Sequence, residues 1–277
     1  MKILLIVDQF PKDEKVLNLG ATLAKHTDST ITLLHVSPRL DGNSDAEALF
    51  TQARQLLPDQ TVQTSLCYGK PVTKILHEAR EGDYDLLVLG ADVSSKPPQH
   101  GLPISPSTLS IIRRTRASVL VVRNPKPLLS RFLICTGGLD LSEPAIEAGA
   151  QLAKAVQAEV YLLHVAGVIP SMYTGLDEID ETLPELLSTQ TPIAQHLRRS
   201  AEILDRYEIQ SHIKLRHGVV TEEIVREVSL SDYDLIISGT PEKTHPLKRV
   251  LLGDVIENVI KNTTCSFLVV KKPLRAV

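Results

Sequence analysis

An internal repeat constrains this chain more than any other feature. Residues 2–36 read KILLIVDQFPKDEKVLNLGATLAKHTDSTITLLHV, and residues 131–165 read RFLICTGGLDLSEPAIEAGAQLAKAVQAEVYLLHV. They align without a gap at an offset of 129, from residue 2 to residue 131 and from residue 36 to residue 165. Gly20 meets Gly149, Lys25 meets Lys154, and Leu33 to Val36 meet Leu162 to Val165. The second halves repeat as well: Asp83, Tyr84, Asp85 and Leu86 recur as Asp232, Tyr233, Asp234 and Leu235, now at an offset of 149 (residue 83 to residue 232). Gly90 matches Gly239. The growth in offset means that copy two carries an insertion, which we place near residues 168–191. Self-similarity of this kind marks a duplicated structural unit.

The copies run over residues 1–124 and 131–273. Between them lies NPKPLLS, whose prolines lack an N–H and disfavour a preceding helix, as in a linker. A chain of 277 residues is long enough for two domains, each with its own core. A net charge of -3 gives no overall basic excess of the kind that draws nucleic acid or an anionic membrane surface. Three scattered cysteines form neither a disulfide framework nor a zinc signature, which points to a reducing, cytoplasmic setting. No apolar run approaches the ~20 residues of a membrane span. The apolar start of the chain meets Asp8 too soon for a signal peptide.

Within each copy, strand and helix patterns alternate. In copy one, Ile3 to Val7 is a continuous apolar run, as in a strand buried on both faces. From Glu14 to Lys25 the apolar residues recur at helical spacing. Strands are predicted over 30–36, 62–68, 86–89 and 119–122, and helices over 46–57, 72–81 and 107–114. Such alternation folds as a parallel sheet with right-handed crossovers and helices on both faces. Ligands of such sheets bind beyond the carboxyl ends of the strands, where strand order reverses. The loops after Val7, Val36 and Leu89, and after Thr136, Val165 and Ser238, are therefore the candidate site.

Each copy resembles a universal stress protein domain, most closely over residues 233–272, YDLIISGTPEKTHPLKRVLLGDVIENVIKNTTCSFLVVKK. The resemblance implies an α/β fold of two tandem Rossmann-like domains (adenine nucleotide alpha hydrolase-like), each a five-stranded parallel sheet with helices on both faces. It also implies an adenine-nucleotide site. In nucleotide-binding members, a Gly-x2-Gly-x9-Gly-Ser/Thr run wraps the phosphates with backbone N–H groups and a helix N-terminus. In copy two, Gly239 fits the first glycine and Gly253 the third, with Thr240, Lys243 and Val255 beside them. Glu242 replaces the second glycine and Asp254 the Ser/Thr, where it is expected to cap the helix. In copy one, Gly90 remains, the glycine spacing is lost, and Ser105 stands at the last glycine. The family's ribose-binding Asp corresponds to Asp8 in copy one and to Gly137 in copy two. Its adenine-contacting Val corresponds to Val36 and Val165. Copy one thus keeps the nucleoside end, and copy two keeps most of the phosphate loop.

The plain alternative for Asp8 is a turn or helix cap. His35 and His164 read as core or surface histidines before catalytic ones. No Walker loop, Gly-x-Gly-x-x-Gly, His-Glu-x-x-His or Gly-x-Ser-x-Gly run occurs. The expected role is that of a stress-response regulator binding ATP or AMP, with Mg2+ only alongside ATP and slow ATP hydrolysis at most. Two alternatives stand beside it. One is an adenylating enzyme like the ATP pyrophosphatases, from the similarity of residues 136–140, TGGLD, to their Ser-Gly-Gly-x-Asp loop. The other is a protein-interaction module. The resemblance further implies an internal pseudo-dimer packed through the final strands. It leaves open a further homodimer and an unknown protein partner. The insertion has helical apolar spacing from Leu176 with an acidic opposite face, and reads equally as a flap, a lid or a partner-binding helix.

Overall fold

The computed structural model describes residues 1–38, 43–58, 60–91, 104–126, 128–137, 142–167, 181–240 and 246–275. The first copy runs β1 (Lys2–Ile6), α1 (Glu14–His26), β2 (Thr30–Ser37), α2 (Asn43–Gln55), β3 (Val62–Tyr68), α3 (Pro71–Glu81), β4 (Leu86–Gly90), α4 (Pro106–Arg114) and β5 (Ser118–Val122). The second runs β6 (Arg131–Thr136), α5 (Glu143–Val156), β7 (Glu159–Ala166), α6 (Leu183–Ser188), α7 (Pro192–Arg206), β8 (Ser211–His217), α8 (Val220–Leu230), β9 (Leu235–Gly239), α9 (Pro246–Asn262) and β10 (Ser266–Val270). The alternation read from the sequence is present, with ends that agree or shift by up to three residues.

The chain divides into two compact units, Met1–Pro127 with Thr264–Val277, and Leu128–Thr263. In the first unit the strand order is β3-β2-β1-β4-β5-β10. Strands β1 to β5 are parallel, and β10 lies antiparallel against β5, with Leu268 opposite Leu120. The second unit carries β9-β6-β7-β8, all parallel. The last strand of the second sequence copy therefore groups with the first unit. The five strands of copy one form the parallel sheet expected of it, and β10 adds an antiparallel ladder against β5.

Burial explains the strand sequences. Leu86 to Leu89 and Phe132 to Ile134 are fully buried, as continuous apolar runs between two helical layers must be. The repeated helix glycines are sites of close approach. A Cβ on Gly20 would come within 2.4 Å of Leu5 Cδ2, and one on Gly149 within 2.4 Å of Ile134 Cδ1. Gly149→Val should overpack this contact and cost about 1–3 kcal/mol, measured as a lower Tm. An unchanged Tm would mean that Ile134 simply turns aside.

The described part of the insertion packs on its own unit. Helix α6 starts where Glu185 Oε2 accepts from Thr182 N and Oγ1 at 2.8 and 2.7 Å. Arg198 on α7 donates to the carbonyls of Leu187 and Thr189 at 2.6 and 2.9 Å, tying α6 to α7. The helix expected from Leu176 falls outside the described residues over 176–180, and its later part coincides with α6.

Candidate functional site

The strand order reverses between β1 and β4 in the first unit and between β6 and β9 in the second. Parallel register pairs Leu5 with Val88 and Cys135 with Ser238. The residues just beyond, Asp8 with Gly90 and Gly137 with Gly239 and Thr240, therefore flank the two crevices. Val36 and Val165 lie on the adjacent strands, paired with Cys67 and Arg216.

The turn after β1 is held by a residue absent from the sequence reading. Asp13 is 4% exposed, and its Oδ2 accepts from the backbone N–H of Asp8 at 2.6 Å and of Gln9 at 2.9 Å. Burial raises the Asp13 carboxyl above the usual carboxylate range, while those two N–H bonds pull the other way. Asp13 precedes α1 at its N-cap position, but its side chain closes the turn and makes no hydrogen bond to the helix, so the turn-capping alternative for Asp8 falls to Asp13 instead. The Asp8 carboxylate makes no hydrogen bond or ion pair among the described residues. Copy two repeats the device with a smaller residue: Ser142, before α5, accepts from Gly137 N at 3.1 Å. The signal was legible, since Asp13 and Ser142 align at the offset of 129 and both are N-cap residue types.

Ser105 is committed to the fold. Its Oγ caps α4 by accepting from Thr108 N at 3.2 Å, and its N–H donates to Ala91 O at 2.8 Å. Thr108 Oγ1 reaches Gly90 O at 3.4 Å, closing the strand end onto the helix. In copy two the matching helix starts earlier. Helix α9 opens at Pro246, and proline suits a first helical turn. Gly253, Asp254 and Val255 consequently stand within the helix, and the N-terminal cap expected of Asp254 is not formed. Lys243 and Glu242 lie outside the described residues.

Both strand histidines are structural. His35 Nδ1 lies 3.0 Å from Val7 O, and His164 Nδ1 lies 3.3 Å from Thr136 O, each joining one strand end to the next. In copy two a further residue enters: His196 on α7 places Nε2 2.7 Å from Thr136 Oγ1. The sequence held no sign of this contact, because His196 and Thr136 are sixty positions apart. Of the run similar to ATP pyrophosphatases, residues 138–140 lie outside the described ones. Among the described residues no group of three or more His, Cys, Asp or Glu could hold a metal ion. None of the helices there is long and apolar enough to cross a membrane.

Comparison with known proteins agrees with this architecture. The sequence model described as the universal stress protein family matches residues 1–123 and 129–271, one match per copy. The chain is 36% identical over 153 residues to the universal stress protein MJ0531 of Methanocaldococcus jannaschii, covering 55% of this chain and 88% of that one. It is 28% identical over 152 residues to the universal stress protein YxiE of Bacillus subtilis, covering 52% of this chain and 100% of that one. Among solved structures, a universal stress protein from Archaeoglobus fulgidus superposes with a TM-score of 0.68 at 18% identity, over 98% of this chain and 96% of that one, which bears on the fold alone.

Proposed function

The chain belongs to the universal stress protein family, and from that premise we propose that it is a regulatory adenine-nucleotide-binding protein with two unequal sites. The observation that carries the proposal is the Asp8 carboxylate, held at the switch point of the first unit by Asp13 and without a partner among the described residues. An anionic acceptor so placed suits the paired hydroxyls of a ribose. Val36, on the next strand, offers its backbone to the base. The phosphate end is weaker, because Ser105 already caps α4 with its hydroxyl. The first unit then takes adenosine or AMP in preference to ATP. The second unit, with Gly137 in place of the Asp and α9 begun early, contributes less. Mg2+ enters only with a bound triphosphate. The protein acts in a cytoplasmic stress response through a protein partner, as an internal pseudo-dimer, and not through rapid turnover.

Calorimetry with adenosine, AMP and ATP tests this. It must use the whole chain, because a cut in the linker would leave β10 on the wrong fragment. Hydrogen bonds to a charged group contribute about 1.5–3 kcal/mol, so Asp8→Asn should weaken AMP binding by roughly ten-fold or more. Equal AMP binding by wild type and Asp8→Asn would overturn the assignment, as would tighter binding of ATP than of AMP.

A further inference from the structure

Two buried histidines converge on one threonine at the carboxyl end of the second unit's sheet. His164 is 4% exposed and His196 is 3% exposed. His164 meets the Thr136 carbonyl through Nδ1, and His196 meets the Thr136 hydroxyl through Nε2. A carbonyl only accepts, so Nδ1 of His164 carries the ring proton and Nε2 is left as a bare acceptor. That Nε2 is buried and has no hydrogen-bond partner among the described residues.

We propose that this cluster is an acid-released latch: a second proton on His164 opens the carboxyl ends of β6 and β7 and frees the turn at Thr136 and Gly137. The charged ring would bury a donor with no acceptor, and buried charges are tolerated only when paired. Among the described residues the surroundings supply no pairing anion. From β8, His217 lies diagonally across the ladder on the same face, bonded through Nε2 to Glu181 O at 2.9 Å. From α7 comes His196, which also lies 3.4 Å from Ser200 Oγ. The buried residues of α5 are all apolar. On β6, Cys135 alternates to the opposite face. There too lie Glu223 and Glu227 of α8, bound to Arg216 and Lys214. Burial depresses the His164 proton affinity, with His217 adding to it and the Thr136 carbonyl opposing.

The direction of the effect follows from linkage. The closed form binds fewer protons than the open one, so the latch is fully stable above the ordinary histidine value of about 6.5. Its stability falls as pH drops below that value, with opening growing about ten-fold per pH unit until the depressed value is reached. Copy one is an internal control. His35 keeps the bond to Val7 O, but it is only half-buried, and Val7 has no hydroxyl to latch. The latch is a property of the fold and holds whatever the crevice binds.

Amide hydrogen exchange on the whole chain at pH 7.5 and 5.5, corrected for intrinsic rates, tests it. Residues 134–137 and 163–166 should lose protection about ten-fold at pH 5.5. Residues 5–8 and 34–37 should not change. His164→Asn keeps a donor for the Thr136 carbonyl and does not titrate, so it should abolish the response. Equal protection at both pH values would overturn the proposal, as would a response that persists in His164→Asn. Should that variant fail to fold, the ring titration of wild-type His164 decides: protonation near 6.5 with no change in exchange also overturns it.

Discussion

Removing residues 264–277 is expected to unfold the first unit, although the whole of its own sequence copy would remain. Phe267, Leu268, Val269 and Val270 are each at most 1% exposed. Burying such side chains contributes about 1.5–3 kcal/mol apiece, roughly 6–12 kcal/mol for the strand, against about 5–15 kcal/mol for a whole domain. Polar contacts add to this. Arg123 N donates to Ser266 Oγ at 3.1 Å, and Lys271 N to Ser118 Oγ at 3.2 Å. Lys271 Nζ reaches the carbonyls of Ile112 and Thr115 at the end of α4, where a cation suits the helix dipole. Arg275 Nε lies 2.8 Å and Lys272 Nζ 3.8 Å from Oδ1 of Asp85, a fully buried carboxylate that would lose both. Without β10, strand β5 becomes a bare edge open to other chains. Hydrogen exchange should show lost protection in β4 and β5, with self-association at higher concentration. Phe267→Ala is the milder form, at about 3–5 kcal/mol. Undiminished protection of β4 and β5 in the truncated chain would show that β10 is dispensable.

Glu227→Ala should be among the most damaging single substitutions in the second unit. Glu227 is 1% exposed and accepts from Lys214 Nζ at 2.6 Å, Arg216 Nε at 2.7 Å and Tyr233 OH at 2.7 Å. Breaking a buried ion pair from one side costs about 3–5 kcal/mol, because the stranded charges keep their desolvation. The cations are held for more than one purpose. Arg131 lies 4.8 Å above the Tyr161 ring and Lys214 5.0 Å from it, and Tyr161 meets Tyr233 edge-on at 5.4 Å. Copy one keeps the carboxylate as Glu78 but gives it neutral donors, Tyr84 OH at 3.1 Å and Ser65 Oγ at 3.4 Å. Glu78→Ala should therefore cost less, about 1–3 kcal/mol. Equal losses in Tm for the two variants would refute the reading.

The same group predicts an acid response. Burial alone would raise the Glu227 carboxyl, but the bonds from Lys214, Tyr233 and Arg216 outweigh it and hold the group at about 2, against an ordinary 4.5. The native value lies below the unfolded one, so this stabilisation is complete above pH 4.5 and is lost as pH falls toward 2. Urea midpoints between pH 6 and pH 3 should fall more steeply for wild type than for Glu227→Gln. Identical slopes would place the acid sensitivity elsewhere.

Much of the molecule was legible from local pattern. The duplication, the alternation of strand and helix, and the crevices at Asp8 and Gly137 follow from apolar period and from the parallel sheet it entails. The Asp13 and Ser142 turns could have been read from the same alignment. Errors arose where a local rule was borrowed from a loop pattern. The glycine spacing put a helix start at Asp254, while Pro246 and the helix-compatible residues after it let α9 begin earlier.

Two features were beyond any local rule. Leu120 to Val122 and Leu268 to Val270 are the same sequence, Leu-Val-Val, and nothing within either says which unit it joins. The strand's apolar period dictates that it be buried, but not against which neighbour, since backbone ladders accept any extended partner. Likewise His196 is one more residue on an amphipathic helix until packing carries it onto Thr136. Period and propensity act over a few residues and so specified the elements. The choice of partner for β10, and the meeting of His164 with His196, depend on contacts between distant positions that exist only once the sheet has formed.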